Sequence, residues 1–240
     1  MQDVRVHRHS TGPQTALVNA YLVETGEGVV AVDGTLAVSE GRALRERVRS
    51  LGKPLLAVLV THAHPDHYGA IVELVGDDDV PVIATAGVDA VIRRDDALKE
   101  QILRPMFGDE WPAERTFPNR KVSDGETLEL GGAAFTVRDL GPGESPHDSI
   151  WLLGDGQTIF IGDQVYDHKH AFLGDGFYEE WLGHLDRLGK ELPADATLYP
   201  GHGGQVTPAH FDWQREYIET FVDAVRGADW SQPEAAKASV

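Results

Sequence analysis

Apolar residues along the chain recur at two periods, and the alternation of those periods sets out the elements. Thr15 to Glu24 (TALVNAYLVE) and Gly28 to Asp33 (GVVAVD) are rich in β-branched and apolar residues and flank the turn-like Thr25-Gly26-Glu27, which predicts an antiparallel pair of strands. From Val38 to Leu51 the apolar positions Leu44, Val48 and Leu51 fall at helical spacing, Arg and Glu occupy the other face, and Gly52 ahead of Pro54 supplies the stop. Leu55 to Thr61 (LLAVLVT) is almost entirely apolar, the pattern of a strand covered on both faces, and it runs directly into THAHPDH. Tyr68 to Val75 then reads as a helix, Val80 to Ala84 as a strand and Val88 to Arg94 as a short helix, so strands and helices layer on one another.

The alternation breaks between Arg94 and Asn119, where Pro105, Pro112 and Pro118 lie among Met106, Phe107, Trp111 and Phe117. A substrate loop and a docked surface excursion fit this stretch equally. Strands resume at Thr127 to Leu130, Ala134 to Leu140, Ile150 to Leu153 and Thr158 to Ile161, separated by Gly-rich turns, which predicts a β-meander. Phe177 to Leu192 and Ala209 to Val225 are amphipathic helices on either side of a short strand, Thr197 to Tyr199. The expectation is one domain over residues 1–230, followed by a small polar tail at 231–240 that is free to fray.

The formal charge of −18, from 39 acidic against 21 basic residues, makes nucleic acid a poor partner. The absence of cysteine excludes disulfides, thiolate metal sites, iron–sulfur clusters and a cysteine nucleophile. MQDVRVHRHSTGPQ has no apolar signal region, and the longest apolar run, Leu55 to Val60, is too short to cross a bilayer. A cytoplasmic protein without membrane contact is therefore expected, acting on a small molecule, with a homodimer open.

The densest chemistry is His62, His64, Asp66 and His67, just past the end of the buried strand. Residues two apart in extended chain point the same way, so His62 and His64 can hold one ion while Asp66 and His67 face another. Zinc accepts imidazole nitrogen and carboxylate oxygen readily, and a catalytic site keeps a coordination position for water.

This HxHxDH loop, together with GPGESPHDS, FIGDQVY and LYPGHGG, resembles the metallo-β-lactamase superfamily over nearly the whole chain. The resemblance implies an α/β fold, a four-layer αβ/βα sandwich of two mixed sheets flanked by helices. It implies two divalent metal ions, zinc first, with Asp163 bridging them and His202 completing the second with Asp66 and His67. It also makes Asp33, at the end of AVDG, an aspartate that fixes the ring of a ligand histidine. Where the family usually has histidine as third ligand of the first metal, this chain has Pro142-Gly143-Glu144-Ser145-Pro146-His147. By alignment Glu144 takes that place, and His147 is its rival after a small register shift. A carboxylate there makes manganese or iron plausible beside zinc and leaves His147 for substrate contact or proton carriage.

On this resemblance the function is a dinuclear hydrolase that uses a hydroxide held between the ions on a lactone, ester, thioester or β-lactam. Asp66 can pass on the proton, and Tyr166 either donates to a developing oxyanion or packs in the core. His168, His170 and Phe172 are candidate substrate contacts, whereas His7, His9, His184 and His210 carry no motif. The competing functions are iron-dependent redox chemistry, as in persulfide dioxygenase-like relatives, and a non-catalytic metal-binding scaffold.

Overall fold

The computed structural model describes residues 4–239, which form two sheets with helices on their outer faces. The first sheet has the order β1 (Arg5–Ser10), β2 (Asn19–Glu24), β3 (Val29–Val32), β4 (Leu55–Leu59), β5 (Val82–Thr85), β6 (Arg120–Val122). Its first two pairings are antiparallel and the other three parallel. The second sheet runs β11 (Thr197–His202), β10 (Thr158–Tyr166), β9 (Asp148–Leu153), β8 (Ala133–Gly141), β7 (Thr127–Leu130), antiparallel except for the parallel β10–β11 pair. The predicted meander is β7 to β10.

Period-two alternation on strands buried on both faces builds the layers. Val30 and Val32 of β3, Ala57 and Leu59 of β4 and Ile83 of β5 point between the sheets, where they meet Phe135, Val137, Trp151 and Phe160 of the second sheet. Val29, Ala31, Val58, Val82 and Ala84 point outward, under α1 (Val38–Ser50), α3 (Ile71–Val75) and the start of α4 (Ala86–Phe107). On the far side Ile150, Ile159 and Ile161 pack against Trp181, Leu185 and Leu188 of α5 (Tyr178–Glu191) and Phe211 and Ile218 of α6 (His210–Gly227). The result is the four-layer αβ/βα sandwich. Hydrogen bonds stitch the sheets, among them Tyr21 Oη to the Pro200 carbonyl at 2.6 Å, Asn19 Nδ2 to the same carbonyl at 3.0 Å and Trp151 Nε1 to the Val60 carbonyl at 3.3 Å. Among the described residues, no helix is long and apolar enough to cross a membrane.

The structure differs from the sequence reading at three places. The break at Arg94 is not a break: α4 runs for 22 residues from Ala86 to Phe107, with the Thr85 hydroxyl capping its start. Only Val88, Asp89, Val91 and Ile92 of this helix are buried, so its distal half carries no core periodicity to be read. That half is held by charge instead, with Arg115 on Asp96 and Glu100 and the buried Trp111 donating its Nε1 to Glu100 at 2.6 Å. Pro105 is tolerated because it lies in the last turn, where it costs one backbone bond. Secondly, the short strands β1 and β6 lie at the two sheet edges, where mostly polar sequences suffice. Finally, the tail expected to fray forms a short helix, α7 (Pro233–Ser239), with Ala236 buried; Val240 lies outside the described residues.

Candidate metal centre

All strand ends that carry the predicted ligands open on one edge of the sandwich. Asp33 closes β3 and His62 follows β4. His64 precedes the short helix α2 (Pro65–Tyr68), which presents Asp66 and His67. Glu144 lies between β8 and β9, Asp163 on β10 and His202 at the end of β11. A β-bulge aims Asp163: the β10–β11 register slips between Phe160 and Gly162 and again between Gly162 and Tyr166, turning that stretch of β10 toward the cleft. Gly201 is required beside it, since a Cβ there would stand 1.9 Å from Asp163 Oδ1 and 2.5 Å from His67 Cε1.

These side chains converge in three overlapping groups, His62–His64–Glu144, His62–His67–Asp163 and Asp66–His67–His202, with ligand atoms within 4.8 Å of one another in each. His64 Nδ1 is 3.0 Å from Glu144 Oε2, and His62 Nε2 is 3.6 Å from the same oxygen. His67 Nε2 lies 3.4 Å from Asp163 Oδ1, while His202 Nε2 lies 3.2 Å from Asp163 Oδ2 and 3.3 Å from Asp66 Oδ2. Asp163 thus stands between the groups.

The outer nitrogen of each of three imidazoles is already engaged. His67 Nδ1 faces Asp33 Oδ2 at 2.8 Å, and His62 Nδ1 faces the Thr61 hydroxyl at 3.0 Å, which itself donates to Asp33 Oδ2 at 2.8 Å. His64 Nε2 faces Asp175 Oδ2 at 2.9 Å. Protons held at those outer positions would leave the inner nitrogens as lone pairs for a bound cation. Asp33 therefore has the orienting geometry expected of it. Asp175 and Thr61 are partners that the sequence reading missed. Thr61 was findable as a hydroxyl next to His62, whereas Asp175 carries no local signal.

The inner atoms behave as a cation's ligands without hydrogen-bond partners. His62 Nε2, His67 Nε2, Glu144 Oε2 and Asp163 Oδ1 are buried and unpaired. Each such atom costs roughly 1–3 kcal/mol if nothing meets it. A mixed imidazole and carboxylate set suits zinc and, through Glu144, harder ions such as manganese or iron. Burial, helped by the charges of Asp163 and Asp148 and opposed by His64, pushes the Glu144 carboxyl up to about 7. Burial and then the neighbouring His67 hold His62 well below the usual imidazole range. For His202 burial works downward, but Asp163 and Asp66 outweigh it and raise the imidazole to about 10. Tyr166 Oη lies 2.7 Å from both Glu144 Oε1 and Asp163 Oδ2, although it has one proton to donate. Burial and those two carboxylates push the phenol well above its ordinary range, so it stays protonated.

Glu144 and His147 part here. The Asp148 carboxylate accepts from Glu144 N at 2.7 Å, Ser145 N at 3.1 Å, Ser145 Oγ at 2.5 Å and Gln164 Nε2 at 2.9 Å, which pins the loop with Glu144 inward. His147 turns out to Asp139, 2.7 Å away, and belongs to none of the ligand groups.

Above the cluster is a cavity of about 640 Å³, floored by His64, Asp66, Asp163, Tyr166 and His202. Its walls include Leu17, Lys99 and Ile102 with His170 and Phe172, and Phe172 meets the His64 ring edge-on at 5.1 Å. Of the residues expected to contact substrate, His170 and Phe172 line this cavity, whereas His147 and His168 do not. The His168 ring instead packs against Trp213 and His210 outside it. The wall from α4, Lys99 and Ile102, was not singled out in the sequence because the helix itself was cut short.

Comparison with known proteins bears on the family and the fold. The chain is 29% identical over 160 residues to a hydroxyacylglutathione hydrolase of Prochlorococcus marinus, a match over 66% of this chain and 54% of that protein, so it spans about half of that relative's length. A metallo-beta-lactamase from Pontibacter korlensis superposes with a TM-score of 0.72 at 18% identity, covering 91% of this chain and 99% of that one, which bears on the fold alone. A protein solved in a di-iron-bound form superposes with a TM-score of 0.68 at 29% identity, covering 88% of this chain and 99% of that one. The model of the metallo-beta-lactamase superfamily matches residues 15–202, and the chain belongs to that superfamily.

Proposed function

We propose that the protein is a metal-dependent hydrolase of small carboxylic substrates, an ester, thioester, lactone or β-lactam. His62, His64 and Glu144 would hold one divalent cation, Asp66, His67 and His202 a second, and Asp163 would reach both. The observation that carries this reading is the cluster of buried, unpaired atoms His62 Nε2, His67 Nε2, Glu144 Oε2 and Asp163 Oδ1, beside a cavity lined by His64, Asp66, Asp163 and His202. Divalent cations in such a site supply Lewis acidity toward a carbonyl oxygen and ionise water near neutral pH.

The chain's own groups do the rest. Tyr166, kept protonated, would turn its one proton from the Glu144 or Asp163 carboxylate toward the oxygen on which negative charge develops. Asp66 lines the cavity and is held below the usual carboxylate range: burial opposes this, but His67 and His202 outweigh it, so it stays ionised and can orient the attacking water by accepting a hydrogen bond from it. The apolar wall, Leu17, Ile102 and Phe172, thins out bulk water and binds the acyl part. Zinc is the first choice of metal, and iron gains support from the di-iron-bound relative. The name of the Prochlorococcus relative favours a thioester among the substrates.

Elemental analysis of the purified protein, joined to a panel of lactones, thioesters, phosphodiesters and β-lactams, tests the reading. Two metal equivalents and turnover confined to carboxylic substrates are expected. A fully metal-loaded chain that turns over only phosphodiesters, or nothing, would overturn it.

A further inference from the structure

The catalytic cavity does not stop at its own wall. His170, which lines it, also lines a neighbouring hollow of about 520 Å³ built by Trp213, Tyr217 and Phe221 of α6 with Glu216 and Thr220. His170 Nδ1 is 3.1 Å from Tyr217 Oη, so one imidazole joins the two spaces.

The rings of Trp213, Tyr217 and Phe221 recur every four residues and therefore lie on one face of α6. They stack in sequence, with centroids 5.7 and 6.3 Å apart and interplanar angles of 23° and 12°. The core-facing side of the same helix is a different one, Phe211, Gln214 and Ile218. The ring strip is only half-buried, so it is not there to fill the interior. It is also pre-stacked, which means that binding on it freezes little side-chain freedom.

We propose that this strip is the distal subsite of the catalytic cleft and takes an uncharged aromatic arm of the substrate. The inference rests on the hydrolase reading for what happens at the other end of that substrate. Charge selects the arm. Glu216 is the one acidic residue among those lining the hollow, and the chain as a whole carries −18, so an anionic tail is repelled. Polar atoms are few and suited to single hydrogen bonds, namely the Tyr217 hydroxyl, the Thr220 hydroxyl and His170.

The test uses the metal-loaded chain with nitrophenyl esters whose acyl chains end in a naphthyl group after a stepped number of methylenes, and nitrophenyl acetate as reference. One chain length should show a KM well below that of acetate. Trp213→Ala and Phe221→Ala should each raise that KM by about tenfold, the size of one lost aromatic contact, and leave acetate turnover unchanged. Trp213→Phe, which keeps a ring, should restore the preference and so excludes misfolding as the cause. Separately, a naphthylalkyl amide, which cannot be turned over, should bind the chelator-treated protein in equilibrium dialysis and fail to bind Trp213→Ala. The inference is overturned if naphthyl arms give no preference in the native chain, or if the variants alter acetate and naphthyl esters alike. If no nitrophenyl ester is hydrolysed, the panel of lactones, thioesters, phosphodiesters and β-lactams decides the hydrolase reading, and the amide decides the groove: its binding upholds the subsite, its failure to bind ends it.

Discussion

The substitution Asp33→Asn separates two roles that most mutations would confuse. Asp33 accepts from Thr61 N at Oδ1, and from Thr61 Oγ1 and His67 Nδ1 at Oδ2, each at 2.8 Å. It lies at φ 60°, a conformation asparagine shares, so the backbone has no reason to move. With the amide oxygen kept for Thr61 N, the amide nitrogen must face Thr61 Oγ1 and His67 Nδ1. It can donate to His67 only if that ring sheds its Nδ1 proton, and the proton then sits on Nε2, the buried atom 3.4 Å from Asp163 Oδ1. The lone pair that a cation needs is thereby lost. Partners of this kind are worth about 10–100-fold in metal affinity, or about 1.4–2.7 kcal/mol. Asp33→Ala leaves the ring free to choose its tautomer, so its affinity should fall less. It strips the buried Thr61 amide and hydroxyl of their acceptor, so its unfolding free energy should fall more, by about 1–3 kcal/mol per group. Competition titration against a chromophoric chelator reads the first quantity and urea unfolding of the chelator-treated protein the second. The reasoning is refuted if the two variants rank in the same order in both assays, or if Asp33→Asn binds metal as tightly as the native chain.

Other consequences can be checked with similar means. Glu144→Ala should lower bound metal by about one equivalent, and His147→Ala should keep the full complement; elemental analysis giving the reverse would reassign the ligand. Tyr166→Phe should retain metal and KM while kcat drops by about 10²-fold, the scale of one lost oxyanion donor; an unchanged kcat would make the phenol structural. Burial and then the nearby Arg187 push His184 down to about 4. Between that value and the ordinary 6.5 the unfolded chain binds the extra proton, so the contribution is whole above pH 6.5 and is lost as pH falls toward 4. After discounting for partial solvent access this amounts to about 2 kcal/mol, and His184→Gln should flatten that part of the stability profile against pH.

What the sequence discloses follows from how local each feature is. His62, His64, Asp66 and His67 are legible because six consecutive residues at a strand end fix their mutual directions. The core strands are legible because both of their faces are buried, which leaves an almost unbroken apolar run. Asp175 is invisible by comparison: it reaches His64 from 111 residues away, in a stretch with neither period nor motif. The distal half of α4 is concealed for a related reason. Its stability comes from Glu100, Arg104, Arg115 and Trp111 bonding to one another, and such bonds leave no periodic trace.

The choice between Glu144 and His147 shows where alignment reaches its physical limit. Both residues carry atoms that metals accept, and they are three positions apart in one loop, so ligand chemistry does not separate them. What separates them is Asp148. With four donors on a single buried carboxylate, the backbone at Glu144 and Ser145 has one low-energy path, and that path turns Glu144 inward. Gly143 supports it, because a Cβ there would meet the His184 ring at 2.6 Å and Asp148 Oδ2 at 2.8 Å. His147 is left beyond the bend, with Asp139 as its partner and Gly87 directly beneath its ring. A Glu144 ligand would therefore be selected by a residue that need not touch metal. Replacing Asp148 should free the loop and let the two side chains compete, a competition that the native chain never holds.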